Sequence, residues 1–239
     1  ARIDRSRAAA LARPLLTPAI DRALAGDAAG LARAAEELLA ADPTKAQAAA
    51  VGLYLLDTEL TRPAVLAFAR VARLSNTEAA TVRTLYRFAE LRRDGELFAL
   101  CARRIDAHTG YRPFGIRTVQ YFRRRVARYL KRLGRAKSPD YVPMAASVLL
   151  SYSDADAEPV RRGVFDAVYD QFARYHALND TLYGGNSPRY HRAHHGRSAW
   201  CCKPDVRPGA PAPAHREERF PKLWDRSPEL LWRLVQDAK

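Results

Sequence analysis

Apolar residues recur at helical spacing from the start of the chain to about residue 178, and short breaks separate one run from the next. No comparable series of alternating, β-branched runs is present, so a sheet is not expected. The pattern therefore predicts an all-α fold. The predicted helices cover residues 31–41, 45–57, 64–74, 77–93, 96–107, 117–137, 141–151 and 160–178, and a last helix covers residues 227–239.

Helix start signals stand at many of the breaks. Asp27, Asp42 and Thr61 are of the residue types whose side chains cap helix N-termini. Pro43 and Pro63 stand at first-turn positions, where the missing N–H of proline has no helical partner to lose. The remaining starts are marked by Asn76, Gly95, Ser138 with Pro139, Glu158 with Pro159, and Ser227 with Pro228 and Glu229.

The loops between the predicted helices are only a few residues long, which is typical of antiparallel helices packed in sequence order. The signatures of TPR and ankyrin repeats are missing, so we expect an irregular HEAT-like helical repeat, an α-α superhelix of stacked helix pairs. A compact bundle is the alternative. The two differ in function, because a superhelix offers a long concave surface whereas a bundle usually buries its site in the core.

The composition changes after residue 178. Residues 179–225 are rich in Pro, Gly, His and Arg, and we expect regular helix to stop there. The aromatic residues of this stretch are too numerous for a flexible linker, so an ordered extension packed on the helices is expected. The predicted organisation is a helical repeat domain over residues 1–178 and an extension with a terminal helix over residues 179–239. The aromatic residues are Tyr183, Tyr190, Trp200, Phe220 and Trp224.

The segment of residues 117–137 carries nine basic residues and no acidic one. Its apolar residues share one stripe at helical spacing, namely Val119, Phe122, Val126, Tyr129, Leu130 and Leu133. The basic residues collect on the opposite side, so the pattern predicts a basic amphipathic helix that presents arginine outward. The candidate nucleic-acid-binding residues are Arg117, Arg123, Arg124, Arg125, Arg128, Lys131, Arg132 and Arg135.

The formal net charge of +14, from 40 basic and 26 acidic residues, favours a polyanionic partner. Only six of the basic residues are lysine and alanine is abundant, so genome composition is an alternative source of the charge. Guanidinium groups suit phosphates, and we expect contacts that position a nucleic acid without reading its bases. A solvated or internally paired face is the competing interpretation. Membrane binding is disfavoured because a helical stack would bury Tyr121, Phe122 and Tyr129.

The three cysteines, Cys101, Cys201 and Cys202, do not form the framework of a disulfide-stapled secreted domain. The chain opens with charged residues in place of the apolar run of a signal peptide, and no window approaches the roughly 18 apolar residues of a membrane span. We therefore expect a cytoplasmic protein. The missing initiator Met is compatible with a piece of a larger protein, and equally with removal of Met before the small residue Ala1.

The extension holds a cluster of residues of zinc-ligand type. Structural zinc sites use cysteines separated by about two to four residues, and adjacent cysteines cannot easily reach one tetrahedral ion. No base that would activate a thiol can be identified beside the cysteine pair. We therefore expect no metal and no thiol enzyme here. The cluster is His191, His194, His195, Cys201 and Cys202.

Carboxylates are plentiful but scattered along the chain. Asp166 and Asp170 are four residues apart and, on the predicted helix, would pair with Arg162 and Arg174 on the same face. A DNA glycosylase on a HEAT-like architecture would instead need an acid beside aromatic side chains in a basic groove, and no spacing singles out that acid. The chain contains no Walker loop, dinucleotide glycine fingerprint, HExxH or GxSxG motif, so we predict no cofactor and no catalytic residue.

The second half of the chain contains five distinctive sequence segments: FGIRTVQYFRRRVARYLKRLG, LYGGNSPRY, AW, REERFPKLWD and PELLWRL. Together they resemble a helical, HEAT-like region found in large multidomain bacterial proteins, some of which also carry a WGR domain. The resemblance implies a scaffold or nucleic-acid-associated segment of a larger assembly, with other domains of the parent protein as further partners. It brings no catalytic residues with it.

Taken together, these observations predict a non-enzymatic helical scaffold whose basic surface binds nucleic acid through phosphate contacts. One alternative is a HEAT-like DNA-base repair glycosylase, and another is a purely structural protein-protein interaction module of a larger protein. A continuous basic stripe favours nucleic-acid binding. An acid in an aromatic-lined pocket favours the enzyme, and evenly mixed charge favours the structural module.

Overall fold

The chain divides into two compact units in the computed structural model, Ala1–Leu91 and Arg92–Lys239. The predicted domain boundary between residues 178 and 179 lies outside the described residues and stays a prediction. The structure describes residues 10, 13, 27, 29–30, 33–34, 37, 42–56, 59, 61–72, 76–106, 116–153, 160–164, 167–171, 216 and 218–237.

Three helices are described in the first unit: α1 (Pro43–Leu56), α2 (Arg62–Val71) and α3 (Asn76–Arg92), which ends at the unit boundary. Each begins at its predicted start residue or directly after it, although Thr61, at the N-cap of α2, forms no side-chain capping hydrogen bond. Asp42 caps α1, because its Oδ1 accepts a hydrogen bond from the Lys45 backbone N–H at 3.1 Å. The local sequence therefore predicts where these helices begin.

The core of the first unit is built from small and aromatic side chains. α1 packs against α2, and Leu53, Phe68 and Tyr86 are each less than 5% exposed. The buried carboxyl of Glu90 accepts a hydrogen bond from the Tyr86 hydroxyl at 2.7 Å. This pairing within one helix accounts for a carboxyl in the core, since buried polar groups need a hydrogen-bond partner.

The second unit contains α4 (Gly95–Asp106), α5 (Ile116–Arg135), α6 (Tyr141–Ser151), α7 (Pro221–Trp224) and α8 (Pro228–Gln236). α4 makes its most extensive contacts with α6, and α5 packs on both of them. α7 and α8 lie against α6. The described residues as a whole are mostly helical, in agreement with the predicted all-α character, with one two-stranded hairpin as the exception.

Close packing of α4 on α6 depends on a glycine at the start of α4. A Cβ atom at Gly95 would lie 2.6 Å from the Ser147 Oγ and 3.2 Å from the Ser147 Cβ of α6, so a larger residue would force Ser147 to move. Asp94 caps the same helix, with its Oδ1 accepting a hydrogen bond from the Leu97 N–H at 3.2 Å. The sequence pattern marks Gly95 as a start signal, but the capping residue is Asp94.

The helix predicted over residues 160–178 is wrong for its first part. The structure has a two-stranded antiparallel hairpin there, with β1 (Val160–Val164) paired to β2 (Ala167–Gln171). Asp170 lies on β2, opposite Arg161 in the register, rather than on a helix face with Arg162. Apolar residues in this run fit both a helical and a strand period, and the β-branched valines favour the strand.

Residues 218–237 fold onto α5 and α6. Trp224 is 3% exposed, whereas Trp200, the other tryptophan among the aromatic residues of the predicted extension, lies outside the described residues. The ring of Tyr141 on α6 meets the rings of Phe220 and Trp224 edge to face, with centroids 5.1 and 6.1 Å away. These contacts between aromatic rings hold the segment in place.

Candidate nucleic-acid interface

The basic helix α5 is held in the second unit by one apolar stripe. Phe122 and Val126 are each 1% exposed. The ring of Tyr129 packs on that of Phe98 from α4, with centroids 5.3 Å apart. This burial confirms the predicted stripe for its described members, which are Phe122, Val126, Tyr129, Leu130 and Leu133; the side chain of Val119 lies outside the description.

The opposite side of α5 presents cationic side chains. Arg124, Arg128, Arg132 and Arg135 are exposed and follow each other at intervals of four, four and three residues. They therefore lie about one helical turn apart and form what we call the arginine stripe. Of the other predicted binding residues, Arg125 and Lys131 are half-buried beside it, and the side chains of Arg117 and Arg123 are not described.

The arginine stripe has no acidic partner within the described part of the protein. The ion pairs there join other residues, such as Arg93 to Asp140 and Arg216 to Glu218 and Asp225. Within the described residues, the stripe is therefore not paired with acidic side chains of the protein itself. Within the described part of the chain, most hydrogen-bond donors of these guanidinium groups stay available to water or to an anion.

Contacts along α5 orient several of these side chains. The Nε of Arg128 donates a hydrogen bond to the Arg124 carbonyl oxygen at 3.2 Å. Its guanidinium carbon lies 5.9 Å from the centroid of the Tyr121 ring, and that of Arg132 lies 5.5 Å from the Tyr129 ring. Each cation–π contact contributes about 0.5–1 kcal/mol at an exposed site, which limits the freedom of the arginine without occupying all its donors.

Tyr121 does not lie where the sequence pattern predicts it. The prediction groups it with Phe122 and Tyr129 as a residue that packing would bury, but it is 40% exposed while the other two are buried. Successive residues of a helix are rotated by about 100°, so Tyr121 falls beside the arginine stripe when Phe122 points into the core. The candidate interface therefore includes an aromatic ring that charge patterning alone did not identify.

The C-terminal end of α5 is closed by a Schellman motif. Lys137 adopts the left-handed region with φ of 52°, and the Ser138 and Lys137 N–H groups donate to the Leu133 and Gly134 carbonyls at 3.0 Å. Phe220 packs against α5 at Gly134, where an added Cβ would lie 2.2 Å from the ring. Gly134 is buried and its neighbour Arg135 is exposed, so this contact leaves the stripe at the surface.

Chemistry of other kinds finds little support in the described residues. Cys101 is fully buried, and burial, with a smaller effect of the nearby Asp94, raises the pKa of its thiol above the ordinary value, which makes it a poor nucleophile. The buried carboxyl of Asp106 accepts a hydrogen bond from the Tyr152 hydroxyl at 2.7 Å. No group of potential metal ligands occurs among the described residues, and the predicted absence of metal at residues 191–202 lies outside them.

Comparisons of the chain with protein-family models, curated proteins and solved structures give no match. Of the helices that the structure describes, none combines the length and the apolar character that crossing a membrane requires. The geometry of α5 and its surroundings is therefore the basis for a proposed function.

Proposed function

We propose that this chain is a non-enzymatic helical scaffold that binds nucleic acid through phosphate contacts made by the arginine stripe of α5. The observation that carries the proposal is the row Arg124, Arg128, Arg132 and Arg135, which is exposed and has no acidic partner in the described part of the chain. Guanidinium groups recognise phosphate oxygens with two donors at once, and such contacts position a nucleic acid independently of its sequence.

The electrostatic destabilisation of α5 by the arginine stripe supports this function. Like charges three or four residues apart destabilise a helix by about 0.2–0.5 kcal/mol per pair, and Arg128 makes such pairs with Arg124, Lys131 and Arg132. A stripe that only kept the surface hydrated would gain from interspersed acidic residues, and α5 contains none. A bound polyanion relieves this repulsion and releases its own counterions.

We also propose that the helices of the second unit stack in the manner of a HEAT-like repeat. α4 packs most extensively on α6, the second helix after it, while α5 contacts both. Equivalent helices of successive pairs have this relation in a stacked superhelix. Such a scaffold would present α5 as one row of a longer surface, and other domains of a larger protein are its further proposed partners.

A salt titration tests the binding function. Fluorescence anisotropy of a labelled single-stranded oligonucleotide and of a labelled duplex is measured with the wild-type protein over a range of salt concentrations. We expect binding that weakens steeply with salt and depends little on sequence, because phosphate contacts supply the affinity. The variant Arg124→Gln/Arg128→Gln/Arg135→Gln should bind more weakly, with a salt slope reduced by about 0.7 to 0.9 for each phosphate that an arginine no longer neutralises.

The matched control removes the same charge elsewhere in the second unit. Lys222, Arg226 and Arg233 are exposed on and beside α7 and α8, and their triple replacement by Gln lowers the net charge equally. This control should bind nearly as tightly as the wild type. An equal loss in both variants would reduce the effect to net charge, and no binding at low salt would leave the purely structural interaction module.

A further inference from the structure

We infer that the nucleic acid held by the arginine stripe is single-stranded and that one of its bases stacks on Tyr121. The inference rests on the proposed function, since it names the form of nucleic acid that the same surface takes. It is carried by the position of an exposed aromatic ring at one end of a row of cations.

The Tyr121 ring is exposed beside the first arginine of the stripe. It is 40% exposed, although its neighbour in sequence, Phe122, is buried in the core. Arg124 and Arg128 follow it at three and seven residues, so ring and guanidinium groups lie on the same side of α5. Aromatic rings among basic residues are the usual arrangement by which proteins hold unpaired strands, since every base has a π-face to stack.

Neighbouring side chains fix the orientation of the Tyr121 ring. Arg125 donates a hydrogen bond from Nη1 to the Tyr121 hydroxyl at 3.2 Å. The Phe122 ring meets it edge to face, with centroids 5.2 Å apart and planes at 89°. Arg128 places its guanidinium 5.9 Å from the ring centroid. A ring already held by three contacts loses little freedom when a base stacks on it, which favours binding.

The spacing of the stripe fits the backbone of one strand. Four residues of a helix rise by about 6 Å, so Arg124, Arg128 and Arg132 follow one another at roughly the separation of neighbouring phosphates along a strand. The distance along the axis from Tyr121 to Arg135 is about 21 Å, which suits a short segment of about four nucleotides. An extended strand can therefore place its phosphates on the stripe and one base on Tyr121 together.

A duplex cannot use Tyr121 in the same way. Paired bases stack on each other and show only their edges in the grooves, so a ring on the side of α5 has no base face to reach. Contacts to a duplex would use the arginines alone. The role of Tyr121 therefore distinguishes the two forms of nucleic acid.

The test compares three labelled probes with four proteins by fluorescence anisotropy at low salt. The probes are a short oligothymidylate, an abasic strand of the same length, and a duplex of two fully complementary strands. The proteins are the wild type, Tyr121→Ala, Tyr121→Phe and the triple stripe variant. We expect the wild type to bind the oligothymidylate more tightly than the abasic strand, and Tyr121→Ala to weaken oligothymidylate binding by about 5- to 150-fold, the value of one aromatic stack.

The other pairs of protein and probe distinguish base stacking on Tyr121 from the phosphate binding of the proposed function. Tyr121→Ala should weaken abasic-strand binding much less than oligothymidylate binding, because with the abasic strand it loses only the support that the ring gives to Arg125 and Arg128. Tyr121→Phe should retain most of the oligothymidylate affinity, and the stripe variant should weaken all three probes. Weakening of the oligothymidylate and the abasic strand to the same extent in Tyr121→Ala, or equal wild-type affinity for both, would overturn the stacked base while the phosphate contacts stand. Failure of every probe to bind would overturn both proposals.

A second measurement does not depend on any variant. An oligonucleotide carrying 5-iodouracil is bound to the wild-type protein, irradiated, and the crosslinked peptide is identified by mass spectrometry. A stacked base places the iodouracil against an aromatic side chain, so the crosslink should fall on Tyr121. Crosslinks only at other residues would contradict the inference.

Discussion

Tyr141 and Trp224 donate hydrogen bonds to the same acceptor, the carbonyl oxygen of Arg219. The Tyr141 hydroxyl lies 3.3 Å from it and the Trp224 indole nitrogen 3.1 Å. One residue belongs to α6 and the other to α7, so the shared carbonyl joins the C-terminal segment to the helices. Both side chains are buried. Each hydrogen bond satisfies a polar group that burial would otherwise penalise.

Removal of the Trp224 side chain should destabilise the protein strongly. Trp224 is 3% exposed, so Trp224→Ala should lower the free energy of unfolding by about 3–5 kcal/mol, and Trp224→Phe should cost less because a ring remains. Trp232, a tryptophan of the same segment that is 62% exposed, is the control, and Trp232→Ala should change stability by no more than about 0.5 kcal/mol. Urea denaturation followed by circular dichroism measures both, and equal effects would contradict the packing.

Tyr141 should make stability decline at high pH. Burial raises the pKa of Tyr141 from 10.0 to about 12, and the neighbouring Trp224 side chain partly offsets this effect. The unfolded chain therefore releases this proton near pH 10, whereas the folded protein holds it until about pH 12. The contribution is present in full below pH 10 and is lost as the pH rises through this range.

The variant Tyr141→Phe isolates this titration from those of other tyrosines. It lacks the proton that links folding to pH, so its urea midpoint should fall less steeply between pH 10 and pH 12 than that of the wild type. The wild type and the variant are compared at each pH. Parallel curves would show that Tyr141 titrates alike in the folded and unfolded chains.

Gly134→Ala should destabilise the protein although alanine is the better helix former. The added Cβ would lie 2.2 Å from the Phe220 ring, and such overpacking costs about 1–3 kcal/mol. In a Phe220→Ala background the same change should instead stabilise by up to about 1 kcal/mol, because the clash is gone and helix propensity remains. The sign of the difference in urea denaturation decides whether Phe220 packs on α5.

Local signals in the sequence predicted much of the helical structure and the basic side of α5. Asp42 caps α1 as expected, and the Phe122 to Leu133 stripe is buried, because capping and helical periodicity act over a few residues. The Phe220 contact with Gly134 joins positions far apart in the chain. Local sequence patterns do not predict which distant residues pack together, so this contact could not be predicted from the sequence.

Long-range packing also accounts for two incorrect predictions, the helix that begins at Val160 and the burial of Tyr121. The run beginning at Val160 supports either a helix or a strand over short range, and pairing of β1 with β2 decides between them. The aromatic character of Tyr121 favours the buried side, although its rotation from Phe122 places it at the surface. In both cases position within the fold outweighs residue type.

Replacing some arginines of the stripe should stabilise α5, because it relieves charge repulsion between them. Arg128 faces Arg124, Lys131 and Arg132 at helical neighbour positions, and it also makes the cation–π contact with Tyr121. Arg124→Gln/Arg128→Gln relieves several repulsive pairs and removes one attractive interaction, while helix propensity hardly changes. In the absence of nucleic acid we expect a gain of about 0.5 kcal/mol at low salt.

Salt distinguishes this electrostatic effect from a change in packing. The gain should shrink as salt is added, because the Debye length falls from about 30 Å at 0.01 M to about 3 Å at 1 M and screens exposed charges. Urea denaturation of the wild type and the double variant, Arg124→Gln/Arg128→Gln, is therefore measured at both extremes. A variant less stable than the wild type at every salt concentration would mean that these arginines hold α5 in place. The stripe would then be structural, and charge repulsion within it would no longer support the binding of a polyanion.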